Sequence, residues 1–276
     1  MTRFVNNVKT AAFLGLMFGI ILLIGSRWGA PGLTIAFLLG GTMNLVAFFF
    51  SDRIALASMR AEEVDETKAP DLITMVARLA RNADLPMPRV YICPQQAPNA
   101  FATGRSPKRA AVAVTHGALQ MLSYDELEGV MAHELAHVKN RDTLISCVAA
   151  TIAGVISYIG WMALWFGDRD NPIAGLVMFL VAPIAASLIQ MAISRSREFV
   201  ADADGASIAG TPNGLISALQ KLDAAARGIP LHDGRLESQN HMFIVQPFSG
   251  SSVGRLFTTH PSTEQRIEKL RGLRLA

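Results

Sequence analysis

Near the middle of the chain His133, Glu134 and His137 form the pattern H-E-x-x-H. Side chains four apart on a helix share a face, one turn above the other, so both imidazoles can reach one metal ion. Glu134, one position round the helix, can take a proton from a water beside that ion without binding the ion itself. Two nitrogen ligands, a water and a carboxylate base are what a hydrolytic zinc site requires. A lone pair of histidines at this spacing would more often fill a surface; a glutamate in the second position of a capped helix points to metal. The cap is Ser123 with Glu126 three residues on, a capping box that starts the helix. Leu127, Val130, Met131, Glu134 and Val138 follow the helical repeat, which sets Glu134 beside apolar packing.

A catalytic zinc takes a third protein ligand and keeps a position open. The candidates are Asp142, Glu198, Asp202, Asp204 and the other histidines. Asp142, five residues past His137, points off the metal face and is a poor choice. Glu198 has a better claim. Two uncharged stretches, Leu144–Gly167 and Ile173–Ile193, separate it from the motif. As a hairpin that goes out and returns, they set His137 and Glu198 at similar depth, each within about 10 Å of a helix end. Asp202, four residues after Glu198, then faces the same way and can accept a hydrogen bond from the far nitrogen of a ligand histidine. Taken alone, Glu198 and Asp202 would read as a solvated face paired with Arg195 and Arg197.

Composition says where such a site would sit. Of 276 residues, 51% are hydrophobic and only 17% charged, and the mean hydropathy is +0.32. That suits a membrane protein carrying a folded water-facing part. Thr10–Ser26 and Leu33–Phe50 are two further uncharged stretches; the first lacks a clean signal-cleavage site and reads as a span. The organisation expected is an N-terminal transmembrane hairpin (1–50), a catalytic part with the H-E-x-x-H helix (51–143), a second hairpin (144–193, kinked at Pro183) and a catalytic part with the third ligand (194–276). The net charge is +3, and the basic residues crowd the N-terminus, 51–143 and everything past Ser194, the two short turns holding only Arg27 and Arg169 of them. By the positive-inside rule both termini and the catalytic parts face the cytoplasm. The charged residues Asp125, Glu126, Glu128, Lys139 and Arg141 around the motif argue for a water-facing site over an intramembrane one. Nucleic acid is a poor partner, because blocks of like charge and basic stripes are absent. Cys93 and Cys147 read as free thiols in a reducing compartment.

The remaining elements follow from pattern. Residues 51–68 leave the second span as a continuing helix. Pro70 opens another helix, with Leu72, Met75, Val76 and Leu79 on its buried face. Arg89–Cys93 and Ala110–Thr115 read as strands. Between them Asn99, Ala100, Phe101, Ala102 and Thr103 form a short extended run that can pair with a substrate backbone. Thr211-Pro212 opens a helix to about Arg227, a loop fills 228–252, and Ser262 with Gln265 caps a last helix.

These motifs together resemble the HtpX family of membrane-bound zinc metalloproteases and, more distantly, the CAAX prenyl proteases. The resemblance rests on Asn99-Ala-Phe-Ala102, His133-Glu-Leu-Ala-His137, Ser194-Arg-Ser-Arg-Glu-Phe-Val-Ala-Asp202, Asn240-His-Met-Phe-Ile244 and Thr259-His-Pro261. It implies a mainly α membrane protein with a cytoplasmic α+β zincin-like metalloprotease domain, built on a small mixed sheet, the H-E-x-x-H helix and a Glu-bearing helix. It further implies one Zn²⁺ per subunit held by His133, His137 and Glu198, with Glu134 as catalytic carboxylate. His260 would approach the metal or the reacting oxyanion. The activity implied is an ATP-independent endopeptidase of the bacterial inner membrane that uses no nucleotide and cuts damaged or misfolded membrane proteins. The alternative is a membrane-anchored zinc-binding chaperone or scaffold. Structural zinc is usually closed by four ligands, often cysteines, and neither cysteine lies near the motif.

Overall fold

The computed structural model describes residues 29–142, 197–228 and 261–273, with the isolated positions Gly15 and Gly19. The chain divides into two compact units, Met1–Ser51 with Leu144–Ile193 and Asp52–Thr143 with Ser194–Ala276. In the first, the described part is the start of α1 (Gly29–Ser58), which covers the expected span Leu33–Phe50. Ile35, Phe37, Leu38, Val46, Phe49 and Phe50 are exposed on it. Among the described residues, no helix is long and apolar enough to cross a membrane. The stretches 10–26, 144–167 and 173–193 lie essentially outside the described residues, as does the loop 228–252 beyond its first residue.

The second unit is a four-stranded sheet with helices on both faces. In chain order it holds β1 (Glu62–Val64), α2 (Pro70–Asn82), β2 (Arg89–Cys93), β3 (Ala100–Thr103), β4 (Ala111–Thr115), α3 (His116–Met121), α4 (Tyr124–Asn140), α5 (197–209), α6 (Asn213–Gly228) and α7 (Thr263–Arg271). The strand order is β1-β2-β4-β3. β2 and β4 are parallel, whereas β1 and β3 run antiparallel to their neighbours, so the sheet is mixed. The period of two sorts the side chains. Val90, Val112, Val114 and Ala100 face the main core with α2, α4, α5, α6 and α7. Tyr91, Cys93, Phe101, Ala111 and Ala113 face the other side, where Leu56 and Met59 cover them. With both faces covered, β4 is buried at every position, which is why it reads as an unbroken apolar run.

Two elements differ from the sequence expectation. The helix leaving residue 51 ends at Ser58, Arg60 takes a left-handed φ of 47°, and the chain returns as β1 rather than continuing into water. A three-residue edge strand of sequence Glu-Glu-Val carries too little alternation to be seen by pattern. After β4, Thr115 caps the short helix α3 by accepting from the Ala118 N–H. Both capping boxes form as expected, Ser123 with Glu126 and Ser262 with Gln265.

Helix α4 is buried nearly all round. Besides the expected stripe, Ala132, Leu135 and Ala136 are fully covered. Small residues make this possible. A methyl group at Gly129 would run into the Leu215 backbone, and one at Gly214 into the Asp125 carbonyl, so α4 and α6 touch backbone to backbone. The Glu126 carboxylate, already bound to the Ser123 N–H, also accepts from Ser217 and Lys221 on α6. Burial alone would raise its pKa; Lys221, Ser217 and the cap outweigh that and bring it to about 2.

Candidate metal centre

His133 and His137 project from one face of α4, their Nε2 atoms 3.2 Å apart. From α5, Glu198 sets Oε2 3.6 Å from His133 Nε2 and Oε1 3.5 Å from His137 Nε2. One ligand atom from each of the three lies within 4.8 Å of the others. Two ligands on one tetrahedral ion, with bonds of about 2.0–2.2 Å, stand about 3.4 Å apart. The three side chains are therefore already at ligand spacing.

The other ring nitrogens explain why the lone pairs converge. His133 Nδ1 lies 3.1 Å from Asp202 Oδ1, and His137 Nδ1 lies 3.1 Å from Asp142 Oδ2. A carboxylate accepts, so each Nδ1 donates to its carboxylate and each ring turns its Nε2 toward the centre. Two such lone pairs 3.2 Å apart beside a carboxylate repel one another unless a cation lies between them. Without metal, a proton takes that place. Burial by itself would lower the His133 pKa, but Asp202 and Glu198 prevail and lift it to about 9. The charge count points the same way. Among the described residues, four buried carboxylates (Glu134, Asp142, Glu198 and Asp202) and two buried guanidinium groups (Arg197 and Arg266) surround the histidines, an excess of acidic groups that suits a cation. The donor set fits a metal.

Arg266 and Asp142 are the residues that sequence reasoning missed in these roles. Arg266, on α7, is 1% exposed. It grips Asp202 with two hydrogen bonds, Nε to Oδ2 at 2.9 Å and Nη2 to Oδ1 at 2.6 Å. Its Nη1 stands 3.6 Å from Glu198 Oε2. Burial would raise the Asp202 carboxyl, yet the Arg266 charge and His133 hold it at about 2. The only sequence signal was an arginine among the buried positions of the last helix. Asp142 corrects the expectation that it points away. α4 ends at Asn140, and Arg141, with a left-handed φ of 61°, turns the chain back, so Asp142 swings under His137 instead of following the helical projection. The face bearing Glu198 and Asp202 is likewise not solvated, and Arg197 is buried with it. Asp204 stands apart, accepting from Asn140. His260 lies outside the described residues.

Glu134 is buried and accepts a hydrogen bond from the Ala102 N–H of β3; burial pushes its carboxyl up from the usual range. The expected substrate segment Asn99–Thr103 thus runs beside it, as the edge strand β3. Thr115 N–H donates to the Asn99 carbonyl at 2.9 Å. By antiparallel alternation the main-chain groups of Phe101 and Thr103 then face β4, and those of Ala100 and Ala102 face away.

Helix α5 reaches this position because residue 205 is glycine. A methyl there would stand 2.9 Å from His133 Cα and N. Gly205→Ala is expected to push α5 off α4, destabilising the fold by about 1–3 kcal/mol through overpacking. It should also weaken metal binding, because Glu198 and Asp202 ride on the displaced helix. Thermal unfolding and metal titration of the same variant check both effects.

A metal held by His133, His137 and Glu198 would leave Glu134 unliganded between it and the rim of the sheet, an arrangement that suits a metallopeptidase. Comparison with known proteins agrees. The chain belongs to Peptidase family M48, which it matches over residues 66–274. It is 51% identical over 277 residues to a protein called Protease HtpX homolog from Persephonella marina, covering 96% of each chain. A protein of the same description from Salinibacter ruber is 52% identical over 269 residues, covering 96% of this chain and 97% of that one. Among solved structures, the crystal structure of S. mikatae Ste24p aligns with a TM-score of 0.57 at 16% identity, over 97% of this chain and 66% of that one. That likeness is one of fold.

Proposed function

We propose that this protein is a membrane-bound, zinc-dependent endopeptidase that cuts damaged or misfolded membrane proteins and other unfolded polypeptides. Its place is the bacterial inner membrane, multi-pass, with both termini and the catalytic parts in the cytoplasm. The observation that carries this reading is the convergence of His133, His137 and Glu198 with Glu134 beside them. Two imidazoles and one carboxylate favour zinc over magnesium or calcium, which take oxygen ligands. The bilayer reading is supported by the uncharged stretches of the sequence and the exposed apolar residues of α1.

Bound zinc supplies a Lewis acid that acidifies water and polarises the scissile carbonyl. Glu134 takes the proton of the attacking water and passes it to the amine nitrogen as the C–N bond breaks. Its raised pKa suits both halves of that task. Asp202 and Asp142 fix the rings of His133 and His137 in one tautomer. Substrate backbone pairs along Ala100 to Thr103, which holds it across the metal site beside Glu134. His260 is assigned to the developing oxyanion by family resemblance. The chaperone or scaffold alternative fits less well, because three protein ligands beside a buried acid differ from a closed four-ligand structural site.

The test is digestion of casein and of an unfolded membrane protein by the full chain in detergent. Cleavage should stop with chelator and return with Zn²⁺; hydrolysis indifferent to chelation would end the reading. Zinc binding should also depend on pH with a definite sign. His133 binds a proton below about pH 9 in the metal-free protein and must release it to bind zinc. Apparent affinity is therefore expected to rise about tenfold per pH unit up to about pH 9 and then level, as read by chelator competition.

A further inference from the structure

Thr115 is at once the last residue of β4 and the cap of α3, and it is fully buried. Those two places make different demands on its main chain. Asn99 faces Thr115 across the sheet, and the Thr115 N–H donates to the Asn99 carbonyl as an antiparallel pair requires. In a continuing strand the Asn99 N–H would meet the Thr115 carbonyl in return, but a cap residue turns its carbonyl along the helix that it starts. The Asn99 N–H donates instead to Thr115 Oγ1 at 2.8 Å. The side chain thus stands in for a main-chain carbonyl and extends the β3–β4 ladder by one pair.

The same oxygen does more. It accepts from the Ala118 N–H at 3.2 Å and donates to the Ala97 carbonyl at 2.9 Å, with the Asn99 carbonyl 3.1 Å away. A hydroxyl has two lone pairs and one proton, so its whole capacity is used. The approach to β3 is held from this turn a second time. The Gly117 N–H donates to the Gln95 carbonyl at 3.1 Å, and a methyl group at Gly117 would run into the Gln96 carbonyl. β3 is four residues long. Its first outward-facing residue, Ala100, lies between the clamp at Asn99 and the pairing of Phe101 with Ala113; Ala102, beside Glu134, lies deeper, between Phe101 and Thr103.

Resting on the reading that substrate backbone pairs along Ala100 to Thr103, we propose that Thr115 is a positioning residue for substrate. Its hydroxyl fixes Asn99 and, through it, the main-chain groups that Ala100 offers to a bound polypeptide. Without the hydroxyl, the Asn99 and Ala118 N–H groups are left buried and unpaired, and the start of β3 leaves its place against β4. Ala102 stays where its neighbours hold it, and His133, Glu134 and His137 on α4 are untouched. Contacts at Ala100 are made to substrate and transition state alike, so their loss falls on KM and leaves kcat.

The experiment measures KM, kcat and bound zinc for the full chain in detergent, well below its melting temperature, on a casein peptide spanning a bond that the natural enzyme cuts. The variants are Thr115→Val, Thr115→Ser and Ala100→Pro. Valine keeps the shape of threonine and removes the hydroxyl. A lost hydrogen bond changes an equilibrium by about 3- to 10-fold, so Thr115→Val should raise KM by that factor with kcat and zinc content unchanged. Thr115→Ser, which keeps the hydroxyl, should restore KM. If Thr115→Val does not fold, Thr115→Cys, a weaker donor and acceptor, takes its place in the comparison with serine. Ala100→Pro removes an outward N–H, which an edge strand tolerates, and should raise KM as well. An unchanged KM in Ala100→Pro means that substrate does not pair along β3, and the proposal falls with that reading. A raised KM in Ala100→Pro with an unchanged KM in Thr115→Val overturns Thr115 alone, whatever its melting temperature. Equal KM in the valine and serine variants, or a loss of kcat or zinc in Thr115→Val, also overturns it. A natural chain that cuts no peptide ends the peptidase reading, and this proposal with it.

Discussion

Glu134→Gln is expected to leave zinc bound and to lower kcat on the order of 10²- to 10⁴-fold, the usual range for losing a general base. The substitution is close to isosteric, and the glutamine carbonyl can still accept from the Ala102 N–H. The ligands His133, His137 and Glu198 are untouched, so metal analysis should give one zinc per chain for both proteins. Because the carboxylate acts on the proton in flight, the loss should fall on kcat with KM little changed. The pH profile adds a signature. Burial lifts the Glu134 carboxyl, so the acid limb of kcat/KM in the natural enzyme should report its deprotonation and vanish in the variant. A variant within threefold of normal turnover would mean that Glu134 is only packing.

Arg266→Met should have the largest effect on stability. Methionine fills much of the space but leaves Asp202 buried without its guanidinium partner, beside Glu198. Removing one member of a buried ion pair costs about 3–5 kcal/mol. The pH dependence identifies the cause. Asp202 has a carboxyl depressed to about 2 against an ordinary 3.8. It therefore contributes stability that is present above about pH 4 and lost as the pH falls through 2. The variant lacks that contribution, so its melting temperature should lie far below normal near pH 7 and converge with the natural protein toward pH 2. Arg266→Lys, which keeps the charge but not the two-pronged grip, should fall between. Parallel curves across the whole range would show that shape, not charge, is what Arg266 supplies.

The ligand helix was legible because its signals are local. The Ser123–Glu126 cap, the four-residue histidine spacing and the apolar repeat all lie within one helix. Glu198 was legible for a different reason, since segment lengths constrain where a returning chain can meet an outgoing one. The strands β2, β3 and β4 were visible through β-branched and small apolar runs. What escaped depended on single backbone turns or on distant packing. The left-handed residue Arg141 reverses the direction in which Asp142 projects, and nothing in its neighbours announces that. Arg60 does the same at the end of α1, hiding β1. Arg266 is a charged residue on a short helix, and its burial becomes intelligible only when Asp202 and Glu198, more than sixty positions earlier, are placed opposite it.

Arg266 closes the electrostatics of His133 across 133 positions of sequence, and that separation orders events during synthesis. A ribosome that has delivered the chain through α6 has already released both histidines, Glu134 and Glu198. Asp202 at that stage lacks the Arg266 charge that helps to hold its carboxyl at about 2. A chain that stops short of α7 therefore carries both histidines, Glu134 and Glu198 but lacks the guanidinium that grips Asp202.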